Sequence, residues 1–123
     1  MLSREQFNEF QYNVLGKDSS FNGELSVTGP TTILSRFEGT LSVTDESKVT
    51  LERGSYFEGN LNCCEVEIFS EFKGILNAKK RVIIRSSANV SGSIFCENLI
   101  IYPGALVNIS GETNHNEESP KVN

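Results

Sequence analysis

Apolar and polar residues alternate along most of this chain. Phe21, Gly23, Leu25 and Val27 share one parity, and Asn22, Glu24 and Ser26 take the other. Period two is the signature of a half-buried strand. The same seven-residue unit recurs as Phe37-Glu38-Gly39-Thr40-Leu41-Ser42-Val43, then from Phe57 to Cys63 and from Phe72 to Ala78. Val90-Ser91-Gly92-Ser93-Ile94-Phe95-Cys96 is a softer copy, and Ile109-Ser110-Gly111-Glu112-Thr113 reads as a worn sixth. On this reading the repeated glycines stand at 23, 39, 59, 74, 92 and 111.

Each copy is followed by a corner and a shorter apolar strand: Thr31-Thr32-Ile33-Leu34, Val49-Thr50-Leu51, Glu65-Val66-Glu67-Ile68, Val82-Ile83-Ile84 and Leu99-Ile100-Ile101. The corners hold turn residues such as Gly29-Pro30, Arg53-Gly54 and Tyr102-Pro103-Gly104-Ala105. A repeat of 15 to 20 residues leaves no room for a helix plus strands. A unit so small buries its apolar face only by stacking on its neighbours.

The pattern therefore predicts an all-β solenoid. Its core columns are Phe37, Phe57 and Phe72, continued by Phe21 and Val90, and Leu41, Leu61 and Leu76, continued by Leu25 and Ile94. Val27, Val43, Cys63, Ala78 and Cys96 form a third column of small fillers. The glycine column marks a bend or a close backbone approach beside the aromatic rung.

Residues 1–20 read as a leader outside the repeat, 21–113 as the solenoid, and 114–123 as a tail too polar to fold alone. In the leader, Phe7, Phe10 and Val14 are spaced for one helical face. The leader also reads as a cap over the first repeat, or as a membrane-surface anchor through its apolar-plus-basic tip Met1, Leu2 and Arg4.

Charge and chemistry narrow the function. The net charge is −5. An acidic chain argues against a nucleic-acid partner, which needs a clustered basic surface. Lys79-Lys80-Arg81 is the one basic cluster and reads as a solvated turn, with a partner contact as the sharper alternative. No apolar run reaches the length of a spanning helix and no signal peptide is evident, so a cytoplasmic location is expected.

Cys63 and Cys96 lie two coils apart, about 10 Å at the strand spacing, too far for a disulfide. Both read as small core residues, while parity puts Cys64 at the surface as an exposed thiol. No cysteine or histidine spacing suits zinc. The single histidine, His115, lies in the tail. Glu24, Glu38, Glu58, Glu65 and Glu67 sit at outward parity and read as a solvated face without a base or nucleophile beside them. No catalytic, cofactor or metal residue is expected, and no enzyme activity.

A solenoid leaves an open core and an unpaired strand edge at each end unless capped. The first coil would offer Phe21, Leu25, Val27 and Ile33, and the last would offer Leu99, Ile101, Leu106 and Ile109. End-to-end self-assembly is the function these residues suggest.

The recurring Phe/Val-x-Gly-x-Leu/Ile unit resembles the bactofilins, bacterial polymer-forming cytoskeletal proteins. The resemblance rests on Phe37-Glu38-Gly39-Thr40-Leu41, Val66-Glu67-Ile68, Val82-Ile83-Ile84, Ala88 to Ile94 and Pro103-Gly104-Ala105, and covers residues 21–113. It implies a right-handed parallel β-helix of about six coils with disordered N- and C-terminal tails. It also implies nucleotide-independent, non-polar filaments that join through the solenoid ends. The implied setting is the inner face of the cytoplasmic membrane, with inner-membrane lipid and cell-wall or cell-shape proteins as partners. A left-handed β-helix is the alternative, as a structural subunit of an acyltransferase-like or carbonic-anhydrase-like trimer. Within single coils an apolar six-step (Phe21, Val27, Ile33) suits it, although those enzymes use histidines that the body of this chain lacks.

Overall fold

The computed structural model describes residues 13–113, and the side chains of 13–110. Ten strands and no helix make up this body. They are β1 (Asn13–Leu15), β2 (Ser20–Val27), β3 (Thr31–Ile33), β4 (Arg36–Val43), β5 (Lys48–Leu51), β6 (Tyr56–Ile68), β7 (Glu71–Ile84), β8 (Asn89–Cys96), β9 (Asn98–Ile101) and β10 (Leu106–Thr113).

Every ladder is parallel, and strands pair across coils, never within one. The long face stacks β2, β4, the first half of β6, the first half of β7, β8 and β10. The short face stacks β1, β3, β5, the second halves of β6 and β7, and β9. The chain is thus a parallel β-solenoid of about six coils, as the repeat predicts.

Register follows the repeat residue by residue. Phe21, Phe37, Phe57, Phe72 and Val90 are successive Cα partners, and so are Leu25, Leu41, Leu61, Leu76 and Ile94. The rings of Phe21 and Phe37 stack at 4.8 Å, those of Phe37 and Phe57 at 4.8 Å, and those of Phe57 and Phe72 at 5.3 Å. In-register parallel stacking explains this geometry, since equivalent side chains are held about one strand spacing apart. Phe37, Phe57 and Phe72 are fully buried.

The glycine column has one function in this stack. Gly39, Gly59, Gly74 and Gly92 all have φ between +120° and +138°. A Cβ on any of them would lie 1.9 Å from the carbonyl oxygen of the glycine one coil earlier. Only a residue without a side chain permits that approach.

The structure revises the sequence reading at both ends of the solenoid. Val14 belongs to strand β1, not to a helical face, and Asn13, Val14 and Leu15 pair with Thr31, Thr32 and Ile33. The Asn13 amide anchors the strand by donating to the Thr28 carbonyl (2.8 Å) and the Thr31 hydroxyl (3.1 Å). The paired body therefore begins at Asn13, inside the stretch expected to be leader. Phe7 and Phe10 lie outside the described residues.

At the other end, Val107 pairs with Val90, Ile109 with Gly92 and Gly111 with Ile94. The sixth copy therefore starts at Val107, and Gly111 stands in the leucine column, two residues from its expected place. Ile109 ends the glycine row opposite Gly92 without the positive φ of the glycines, since Asp18 alone among the described non-glycine residues has one.

Candidate self-assembly ends and a lateral groove

Burial sorts the apolar residues by coil. The fully buried core comprises the middle coils, from Ile33 and Phe37 to Val90. The partly buried residues that pack against it all belong to the outermost coils: Leu15, Phe21, Leu25 and Val27 at one end, and Leu99, Ile101, Ala105, Val107 and Ile109 at the other. Among the described residues no strand stacks beyond β1 or β2 at one end, or beyond β9 or β10 at the other. Each end thus presents half-buried side chains beside an unpaired row of backbone N–H and C=O groups, which is a template for further pairing.

The expected end residues divide on inspection. Phe21, Leu25, Val27, Leu99, Ile101 and Ile109 lie at the ends, half-buried. Ile33 does not, because Leu15 covers it and it has no exposure. Leu106 points sideways, 66% exposed, opposite the outward Asn89. Leu15 and Val107 are end residues that sequence reasoning missed. The alternation from Leu106 to Ser110 carries the signal for Val107 once the sixth copy starts there. Met1, Leu2, Arg4 and His115 lie outside the described residues.

The expected solvated acidic face is partly paired. Glu67 bridges Lys48 (2.6 Å) and Arg85 (3.1 Å), and Glu65 meets Arg81 (2.9 Å). Arg81 is therefore part of a cross-coil ladder, while Lys79 and Lys80 are exposed. The Arg85 guanidinium also lies 4.4 Å from the Tyr102 ring and 5.5 Å from the Phe69 ring. Pairs this exposed contribute little each, typically below about 1 kcal/mol.

Cys64 departs furthest from expectation. It is 3% exposed, not a surface thiol. The cause is an irregular corner. Coil 2 turns through four residues, Thr44 to Ser47, between β4 and β5. Coil 3 turns through Cys64 alone, and coil 4 through Lys79 and Lys80, with a register shift between Cys63 and Glu65. The short corner lies between its longer neighbours, and Cys64 is buried there without joining the core cluster.

The result is a lateral groove of about 460 Å³ that runs along the corner. Cys63, Cys64 and Ala78 are buried along it, Asn62 and Asn77 form one wall with Phe95, and Asp45, Lys79 and Glu97 line it at coils 2, 4 and 5. The Asn77 amide donates to the Asn62 carbonyl oxygen at 3.1 Å. Lys80 reaches across the notch to Glu46 at 4.0 Å.

The three cysteines are free. Burial, then the neighbouring Cys64 and Glu65, pushes the Cys63 thiol up to about 12, and burial pushes Cys96 up to about 11. A thiol raised in the fold stabilises it below its ordinary value of 9.0 and loses that contribution as pH climbs toward 11 and 12. Urea midpoints should accordingly begin to fall above pH about 9, and Cys63→Ala should flatten that fall. A wild-type midpoint unchanged between pH 8 and 10 would contradict the assignment.

Among the described residues, no group of three or more histidine, cysteine, aspartate or glutamate side chains gathers to hold a metal. No helix there is long and apolar enough to cross a membrane. The feature the fold repeats is stacking, and among the described residues stacking stays unfinished at both ends. This is the architecture of a polymer-forming scaffold.

Comparison with known families agrees. The family model described as "Bactofilin: Polymer-forming cytoskeletal" matches residues 13–113, the same span as the paired body. The chain belongs to the bactofilin family. Comparisons with curated proteins and with solved structures give no match.

Proposed function

We propose that this protein is a non-enzymatic cytoskeletal subunit that assembles end to end, without nucleotide, into non-polar filaments. The observation that carries this reading is the sorting of burial by coil. The inward-facing apolar side chains are buried in the middle coils and only partly buried in the outermost ones. A second copy at each end would complete the burial of Phe21, Leu25 and Leu15, or of Val107, Ile109 and Ile101. Like ends meeting by a two-fold axis would make each contact isologous and the filament non-polar. Such filaments would support cell shape, division or the placement of cell-wall enzymes.

Electron microscopy of the purified chain tests the assembly. Filaments should form without added nucleotide. Ile109→Arg should leave small soluble species with an unchanged β-rich circular dichroism spectrum, because it places a charge in the end contact. Wild-type protein that stays monomeric at every concentration and salt would refute the reading, and so would Ile109→Arg filaments of normal length.

The proposed setting is the inner face of the cytoplasmic membrane, reached through Met1, Leu2 and Arg4. One short tip binds lipid weakly, so attachment would rely on many tips displayed by one filament. Filaments of the full chain should float with liposomes, and deletion of residues 1–10 should leave them in the pellet. Equal flotation of both would remove the tip from the mechanism.

A further inference from the structure

We propose that the N-terminal contact pairs strand β2 with β2 of a second copy, antiparallel, with the two-fold axis passing through Gly23. This register rests on the end-to-end reading above and adds which residues face one another.

The glycine row sets the place. Gly39, Gly59, Gly74 and Gly92 each lack a Cβ that would lie 1.9 Å from the carbonyl oxygen of the glycine one coil earlier. The vacant side of each glycine therefore faces the N-terminal end, and backbone fills it. Gly23 has a similar backbone, with φ +139°, and the same vacant side. The nearest atom there is a Phe21 ring carbon at 3.9 Å. Strand β1 covers only the short face, and among the described residues no strand lies along the outer edge of β2. Gly23 is thus shaped for the close approach of a backbone that the described body does not supply.

The ladders within the chain identify that backbone. From β2 to β8 every long-face ladder sets glycine against glycine. At the other end the row finishes on Ile109, which has no positive φ. Another N-terminal end is therefore what offers Gly23 a glycine. Two such ends meet across a two-fold axis, which runs their strands antiparallel.

Parity, overlap and charge then select the register. Inward Phe21, Gly23, Leu25 and Val27 need inward partners, because a slip of one residue sends every side chain to the opposite face. The two such registers that keep all but one residue of Ser20–Val27 paired are centred on Gly23 and on Glu24. A centre at Glu24 sets that carboxylate against its own copy, and like charges directly opposite are destabilising. It also sets each Gly23 against a leucine. A centre at Gly23 sets glycine against glycine, Phe21 against Leu25 of the copy, and Asn22 against Glu24 of the copy, each pairing being made twice. The open face of the Phe21 ring and the half-buried Leu25 then cover one another. The Asn22 amide has two N–H groups, and one is directed at Glu38 at 3.5 Å, which leaves the other for the facing carboxylate.

Disulfide trapping reads the register. Asn22→Cys and Glu24→Cys are made as separate variants of the full chain. Each also carries Ile109→Arg, so that only the N-terminal contact remains. The two are mixed in equal amounts and oxidised with diamide, and mass spectrometry identifies the linked peptides. Directly opposite residues of antiparallel strands lie about 4.5–5.5 Å apart at Cα, within reach of a disulfide, and diagonal ones lie about 7–8 Å apart, beyond it. Links between positions 22 and 24 should therefore exceed 22–22 and 24–24 links by about fivefold or more. Ile109→Arg protein without either cysteine change should sediment as a dimer. Both changed side chains are exposed, the native cysteines are buried, and circular dichroism verifies the fold.

Predominant 24–24 links would move the axis to Glu24 and predominant 22–22 links would move it to Asn22. Either result overturns the register and leaves end-to-end assembly standing. A dimer that yields none of the three links, or an Ile109→Arg protein that sediments as a monomer, would remove the second copy from β2 and overturn the proposal. Failure of the wild-type chain to form filaments is the separate result that counts against the end-to-end reading itself.

Discussion

Replacing Gly59 with alanine is expected to cost as much as any single methyl group added to this protein. The new Cβ would lie 1.9 Å from the Gly39 carbonyl oxygen and 2.8 Å from its carbon. Both are backbone atoms, held on either side by the ladders of β4 and β6. The coils cannot part locally without breaking those ladders. The φ of +134° adds strain of its own, of order 1–3 kcal/mol for a residue with a side chain. The total should exceed about 4 kcal/mol, a cost that marks a specific steric mechanism.

Gly23→Ala supplies the control. Its φ is +139°, yet the nearest atom to its Cβ would be a Phe21 ring carbon at 3.9 Å. It should therefore show the φ cost alone. Thermal melting of the two variants decides the point, and equal losses would mean that backbone strain, not the carbonyl contact, governs the column.

Phe57→Ala is the second large effect expected. Its ring is fully buried and stacks on Phe37 and on Phe72. Truncation of a buried phenylalanine costs about 3–5 kcal/mol from lost transfer energy and the cavity left behind. Two stacking contacts add to the loss, at about 0.5–1.5 kcal/mol each. Phe21→Ala should cost less in stability, because among the described residues Phe21 stacks on one ring only and remains half-buried. Urea unfolding of both variants measures the contrast. A Phe57→Ala loss below about 1 kcal/mol would mean that the aromatic column contributes little.

The contrast between these sites shows what was legible in the sequence. Phe37, Gly39 and Leu41 repeat at fixed offsets, and parallel stacking keeps equivalent residues in register, so the columns follow from the pattern. Where offsets change, the pattern fails. Parity assigned Cys64 to the outside because alternation was carried through a corner. Corner lengths of four, one and two residues are set by how neighbouring coils fit, and period two does not encode them.

Gly111 misled for a similar reason. A glycine at roughly the right distance resembled the column, but Val107 and Ile109 fix the sixth copy two residues earlier. Leu15 escaped notice because strand β1 has only three residues, too few for alternation to declare itself. The end faces were legible in kind, since a repeat that buries itself by stacking must stop somewhere. Their membership was not, because cover from a short strand removes Ile33 from the surface. The groove left no trace in the hydrophobic pattern. It arises from a missing length of chain at one corner.

The even spacing of the coils also works as a ruler. Six rungs at about 4.8 Å give each subunit an axial length of about 29 Å. A filament that joins unlike ends would repeat once per subunit. One that joins like ends would repeat only every second subunit, at about 58 Å by the same spacing. Layer lines from aligned filaments would therefore report the polarity of the polymer directly, with the rung spacing as an internal standard.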